Sequence, residues 1–109
     1  MDMETKRKKL EAQVKQTRRQ IARRGPWIEG SLVSTARVCG KTNCACHRGG
    51  AKHPVLYLTG KLGGKTVSLY VPRKLEAEVR RWAENYKRLK QLTRQVSELQ
   101  KEIVRLREE

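Results

Sequence analysis

Cys39, Cys44, Cys46 and His53 fall within one fifteen-residue window, Cys39-Gly-Lys-Thr-Asn-Cys44-Ala-Cys46-His47-Arg-Gly-Gly-Ala-Lys-His53, and the chain has no other cysteine. Soft thiolates and an imidazole gathered so closely suit one tetrahedral ion, and Zn2+ in a Cys3His site is the expected cofactor. Cys44-x-Cys46 is tighter than the familiar C-x2-C pair. Cys39 followed by Gly40 looks like a metal knuckle, in which a small residue lets backbone N–H groups turn toward sulfur. The fourth ligand is a choice between two histidines. His47 adjoins Cys46, and adjacent side chains converge poorly on one ion. His53 lies across a flexible glycine-containing segment and is preferred.

Other chemistries fit less well. An odd cysteine count does not make a disulfide framework, and an iron–sulfur cluster usually takes four cysteines. A catalytic zinc would want a carboxylate base nearby, but Glu29 is the only acid between residues 25 and 72. No nucleophile or acid–base constellation stands elsewhere, so a structural site in a non-enzymatic protein is expected.

The elements that hold this window are short. The 109 residues are 37% hydrophobic and 34% charged, with no phenylalanine, so a large core is excluded. Charge and pattern divide the chain into three parts: a basic N-terminal helix (1–24), a zinc-knuckle β-meander (25–72), and a long basic coiled-coil helix (73–109). The first places Leu10, Val14, Thr17 and Ile21 on one narrow helical stripe and stops at Gly25-Pro26. The middle changes to strand period over Ser31–Val38, with Leu32, Ala36 and Val38 on one face. Val55–Thr59 and Lys65–Val71 follow as a hairpin around Gly60–Gly64. Val67, Leu69 and Val71 then point inward and Thr66, Ser68 and Tyr70 outward. Tyr57 joins Tyr70 where the register allows, with Arg37 from the first strand. Such a face can stack bases, or the tyrosines can pack against the helices. Trp27 and Trp82 are expected in the core.

Pro72 can open the last helix. Leu75, Val79, Trp82, Tyr86 and Leu89 alternate four and three, and Leu92, Val96, Leu99, Ile103 and Leu106 continue. The 89-to-92 step interrupts the alternation like a three-residue stammer. A helix this long outruns a small sheet. Its far half needs Leu10–Ile21 of the same chain or a second copy. The expected fold class is α+β: a three-stranded antiparallel sheet with a zinc-knuckle loop, flanked by two helices.

The chain carries 26 Lys and Arg against 11 Asp and Glu, a net charge of +15. That imbalance implies a polyanionic partner, nucleic acid first. Lys6, Arg7, Lys8, Lys9, Arg18 and Arg19 cluster on the N-terminal helix. Arg73, Arg80, Lys87 and Arg94 recur every seven residues, with Arg81 and Arg88 beside them, so they form a stripe. Arg37, Lys41, Arg48 and Lys52 surround the Cys/His loop. These are the candidate phosphate contacts; a solvated face with Glu76–Arg80 and Glu84–Arg88 pairs is the plainer account. DNA is slightly favoured over RNA, in a regulator or accessory subunit that dimerises or joins a larger complex through the C-terminal helix. The alternative is a coiled-coil adaptor for an acidic protein. No stretch is long enough to cross a bilayer and no apolar signal core follows the N-terminus, so the expected location is the cytoplasm, without a membrane partner.

Gly30-Ser-Leu32, Cys39-Gly-Lys41, Cys44-x-Cys46, His53-Pro54, Leu56-Tyr-Leu58, Gly64-Lys-Thr66 and Tyr70-Val-Pro72 together resemble a family of small uncharacterised prokaryotic proteins. That family has a C-G-K-x2-C-x-C…H core followed by a long helix. The resemblance covers roughly residues 30–90 and implies Cys39, Cys44, Cys46 and His53 as the shared site. It implies no activity. His53 meets Pro54 directly here, where the family pattern often places a glycine between them.

Overall fold

A computed structural model describes residues 2–108. The chain forms α1 (Met3–Ala22), β1 (Ser31–Arg37), β2 (His53–Leu62), β3 (Lys65–Val71) and α2 (Glu76–Glu108). Short 3-10 turns span Ala45–Arg48 and Arg73–Leu75. The three strands make one antiparallel sheet in the order β1-β2-β3, the expected α+β fold.

Packing separates two units, Met1–Trp27 with Glu84–Glu109, and Ile28–Ala83. In the second, β2 supplies Leu56 and Leu58, β3 supplies Val71, and the first turn of α2 supplies Val79 to a small core. Ile28, Leu32 and Trp82 pack around it. The inward phase expected for β3 is seen at Val71, with Val67 half-buried, but Leu69 is 44% exposed. On β1, Leu32 alone is half-buried, while Ala36 and Val38 are exposed. β1 therefore holds its place through its ladder to β2 and the loop that follows it.

The hairpin turn is shorter than the glycines suggest. Strand pairing runs through Gly60, Lys61 and Leu62, and the turn itself is Gly63-Gly64, closed by Leu62 opposite Lys65. Both turn glycines have positive φ, 60° and 81°, as a two-residue hairpin matched to strand twist requires. Gly60 has a different purpose: a Cβ there would lie 3.1 Å from the carbonyl oxygen of Glu29. Close backbone approach, not turning, explains that glycine.

In the other unit, Asp2 caps α1 by accepting the Thr5 N–H at 2.7 Å. Leu10, Val14, Thr17 and Ile21 form the buried to half-buried stripe of α1, with Val14 buried. The helix ends at Ala22, before Gly25. On α2, Leu92 and Ile103 are buried and Leu89, Val96, Leu99 and Leu106 half-buried. The two helices run antiparallel. Asn85 donates to the carbonyl of Pro26, just past α1, at 2.8 Å, while Met3 and Arg7 share a groove with Leu106. Of the two coverings expected for the far half of α2, the structure uses the helix of the same chain.

Val79 and Trp82 belong to the core of the sheet unit, whereas Leu92 and Ile103 are buried in the unit that α1 shares, so one helix serves two cores. Leu75, expected in the first seam, is 41% exposed in the 3-10 turn. Trp27, expected in the core, is 55% exposed.

Replacing the fully buried Leu92 with alanine should cost about 2–5 kcal/mol, because the seam cannot collapse into the gap. Leu62→Ala, at a 63% exposed site, should change stability by no more than about 0.5 kcal/mol. Urea unfolding of the two variants measures the difference.

Candidate metal centre

The loop between β1 and β2 leaves the sheet and returns to nearly the same point. Arg37 and His53 are the last paired residues of the β1–β2 ladder, so Cys39 and His53 start close together. In between, Cys44 N–H donates to the Lys41 carbonyl at 3.1 Å, and His47 N–H to that of Cys44 at 3.1 Å. These turns lead into the 3-10 segment Ala45–Arg48. Gly50 N–H then donates to the Ala45 carbonyl at 2.8 Å, where a Cβ would meet that oxygen at 2.7 Å. Only glycine fits so near an approach. Gly40, the expected knuckle residue, has open space around it.

The loop brings the ligand atoms of Cys39, Cys44, Cys46 and His53 within 4.8 Å of one another. Cys39 and Cys46 sulfurs are 3.6 Å apart, and Cys44 Sγ lies 3.4 Å from His53 Nε2. A tetrahedral ion with the bond lengths of zinc sets edges of about 3.8 Å between sulfurs and about 3.6 Å from sulfur to nitrogen. The donor types and these two edges therefore suit an ion such as zinc.

Surrounding groups tune the sulfurs. Cys39 N–H donates to Cys46 Sγ at 3.3 Å, whereas the Cys39 sulfur itself, at the expected Gly40 knuckle, lies against the Lys41 carbonyl. The thiol of Cys44 is lowered from the ordinary 9.0 to about 6, chiefly by the Cys46 backbone N–H and then by His53. The Cys39 N–H pulls Cys46 the same way, but burial and the neighbouring Cys44 and Cys39 thiols outweigh it and push Cys46 up.

The two histidines take different places. His53, the first residue of β2, joins the cluster. His47 donates from Nε2 to the Cys39 carbonyl at 2.7 Å; since a carbonyl only accepts, Nε2 carries the proton. His47 thus braces the backbone of a cluster residue from outside, a role that its position beside Cys46 did not suggest.

The candidate phosphate contacts are divided between the two units. Lys6, Arg7, Lys8, Lys9, Arg18 and Arg19 are exposed on α1. Arg7 pairs with Glu11 at 3.1 Å. Lys87 and Arg94 are exposed on α2, and Arg88, half-buried, donates to Gln91 at 3.0 Å instead of reaching Glu84. In the sheet unit, Arg73 and Arg81 are exposed, and Arg80 meets Glu76 at 3.7 Å. Lys41, Arg48 and Lys52 are exposed around the loop. Arg37 donates to the Tyr57 hydroxyl.

A family model, described as a domain of unknown function (DUF6788), matches residues 2–81. Nothing among curated proteins or solved structures matches the chain. The family match takes in α1, the whole Cys/His window, the three strands and the start of α2, and the chain belongs to the DUF6788 family.

The cluster predicts shared protection. With an ion such as zinc held by Cys39, Cys44, Cys46 and His53, all three thiols should resist iodoacetamide at pH 7, and chelation should expose all three to alkylation. Peptide mapping by mass spectrometry before and after chelation reads the difference.

Proposed function

We propose that this DUF6788 protein is a non-enzymatic nucleic-acid-binding module in which a Zn2+ ion on Cys39, Cys44, Cys46 and His53 staples a small sheet. Bound there, the ion would supply cross-linking between the exit of β1 and the entry of β2, and no chemistry on a substrate. The observation that carries the reading is the uncompensated positive charge. Basic residues exceed acids by 26 to 11, and fifteen of the sixteen candidate contacts are exposed. Among the described residues the ion pairs are Arg7–Glu11, Arg80–Glu76 and Arg105–Glu102, all between near neighbours on one helix. Such exposed pairs are worth little, and most of the basic surface is left for phosphate.

The basic side chains of α1 and α2 act as phosphate contacts. They fix the protein on the backbone without reading sequence. DNA and RNA both satisfy that chemistry, and DNA is slightly preferred. The role is that of a regulator or accessory subunit in the cytoplasm, as a dimer or in a larger complex. No helix among the described residues is long and apolar enough to cross a membrane. The competing reading, a coiled-coil adaptor, needs a free apolar seam on α2. The burial of Leu92 and Ile103 in the unit that α1 shares counts against the adaptor.

Binding to a duplex should weaken along a straight line of log affinity against log salt, because each neutralised phosphate releases counterions. Arg18→Gln with Arg19→Gln should flatten the slope by about 2 and weaken binding to all sequences alike. Fluorescence anisotropy over a salt series measures both; salt-independent affinity, or none, contradicts the reading.

A further inference from the structure

We infer that the face of the β-sheet opposite Leu56, Leu58 and Val71 is a base-stacking platform for a single-stranded segment of nucleic acid. This rests on the nucleic-acid reading above and adds to it a second surface with a different ligand form.

The pairing register builds the surface. Tyr57 of β2 stands directly opposite Tyr70 of β3 and opposite Val33 of β1. Strand alternation sends all three to the face opposite Leu56, Leu58 and Val71. The tyrosine rings meet edge to face, 6.1 Å between centroids at 67°. Tyr70 is 58% exposed and Val33 47% exposed. An exposed valine and an exposed tyrosine flanking a half-buried tyrosine, in one row across a sheet, are not explained by the sheet's own core.

The charges around the row select the occupant. Arg37 lies on the same face and donates to the Tyr57 hydroxyl, which holds a cation at one end of the aromatic pair. Lys61, four residues from Tyr57 along β2, places another on the same face at the hairpin end. No Asp or Glu occurs in any of the three strands. Rings offer bases a stacking surface irrespective of sequence, and flanking cations accept the phosphates between them. A lone duplex cannot use the rings, because its bases are already stacked inward. A second copy of this chain would set like charges against each other. A single strand has both the exposed bases and the negative charge that the surface lacks.

The test uses the zinc-loaded full chain and labelled oligonucleotides of roughly a dozen nucleotides, a length suited to one small stacking surface. At one salt concentration, anisotropy compares an oligothymidine strand, an abasic strand of equal charge and a duplex. The unaltered protein should bind the base-bearing strand at least about tenfold more tightly than the abasic one. Tyr57→Leu with Tyr70→Leu should abolish that preference and leave duplex affinity within about twofold, whereas Tyr57→Phe with Tyr70→Phe should retain the preference. Equal affinity of the unaltered protein for base-bearing and abasic strands would overturn the platform and leave duplex binding intact. Equal losses on strand and duplex in the leucine variant would do the same. Failure to bind any nucleic acid would remove the platform together with the reading on which it rests. Displacement of the oligothymidine strand by polyglutamate of matched charge as readily as by unlabelled strand would overturn it in favour of an acidic protein partner.

Discussion

The structure depends on one closure: the loop after β1 must return so that a side chain at the entry of β2 meets three from the loop. The sheet has little else to hold it. Its core rests on Leu56, Leu58, Val71 and Val79, and none of these comes from β1. A sheet this small buries too little apolar area to offset the entropy of ordering it, which is the circumstance in which small domains use a staple. The Cys3His cluster sits where the staple is needed, at the paired end of β1 and β2. It also guards the register. A slip by one residue would carry His53 to the other face of β2 and away from Cys44. The same slip would separate Tyr57 from Arg37, so that contact on the outer face depends on the cluster as well.

A second constraint lies in α2. At 33 residues the helix is about 50 Å long, and the sheet covers only its first turns. The chain meets this by writing two apolar seams into one helix and spending α1 on the second. Asn85, half-buried beside the second seam, donates to the Pro26 carbonyl and so ties that unit's part of α2 to the chain just beyond α1.

The sequence makes much of this legible because the signals are local. Strand and helix periods, the identity of the metal-ligand types and the stripe on α1 are properties of residues near one another in the chain. What it leaves open depends on pairing. His53 and His47 differ as ligands because β1–β2 register carries one to the cluster, while a 3-10 turn sends the other to the Cys39 carbonyl. Gly60 reads as a turn glycine but is required by the backbone at Glu29, far away in sequence. Trp27 has apolar neighbours along the chain and none of the packing that would bury it. Ala36 and Val38 alternate as inward residues should, but both are exposed.

Charge and staple divide the work. The metal would fix a sheet that the apolar residues alone hold weakly, and the basic side chains on that frame would meet phosphate. The most direct measurement is native mass spectrometry of the purified protein, joined to hydrogen exchange before and after chelation. The account predicts one zinc ion per chain, and loss of amide protection across β1, β2 and their connecting loop when the ion is withdrawn. A chain that carries no metal, yet keeps those amides protected, would contradict it.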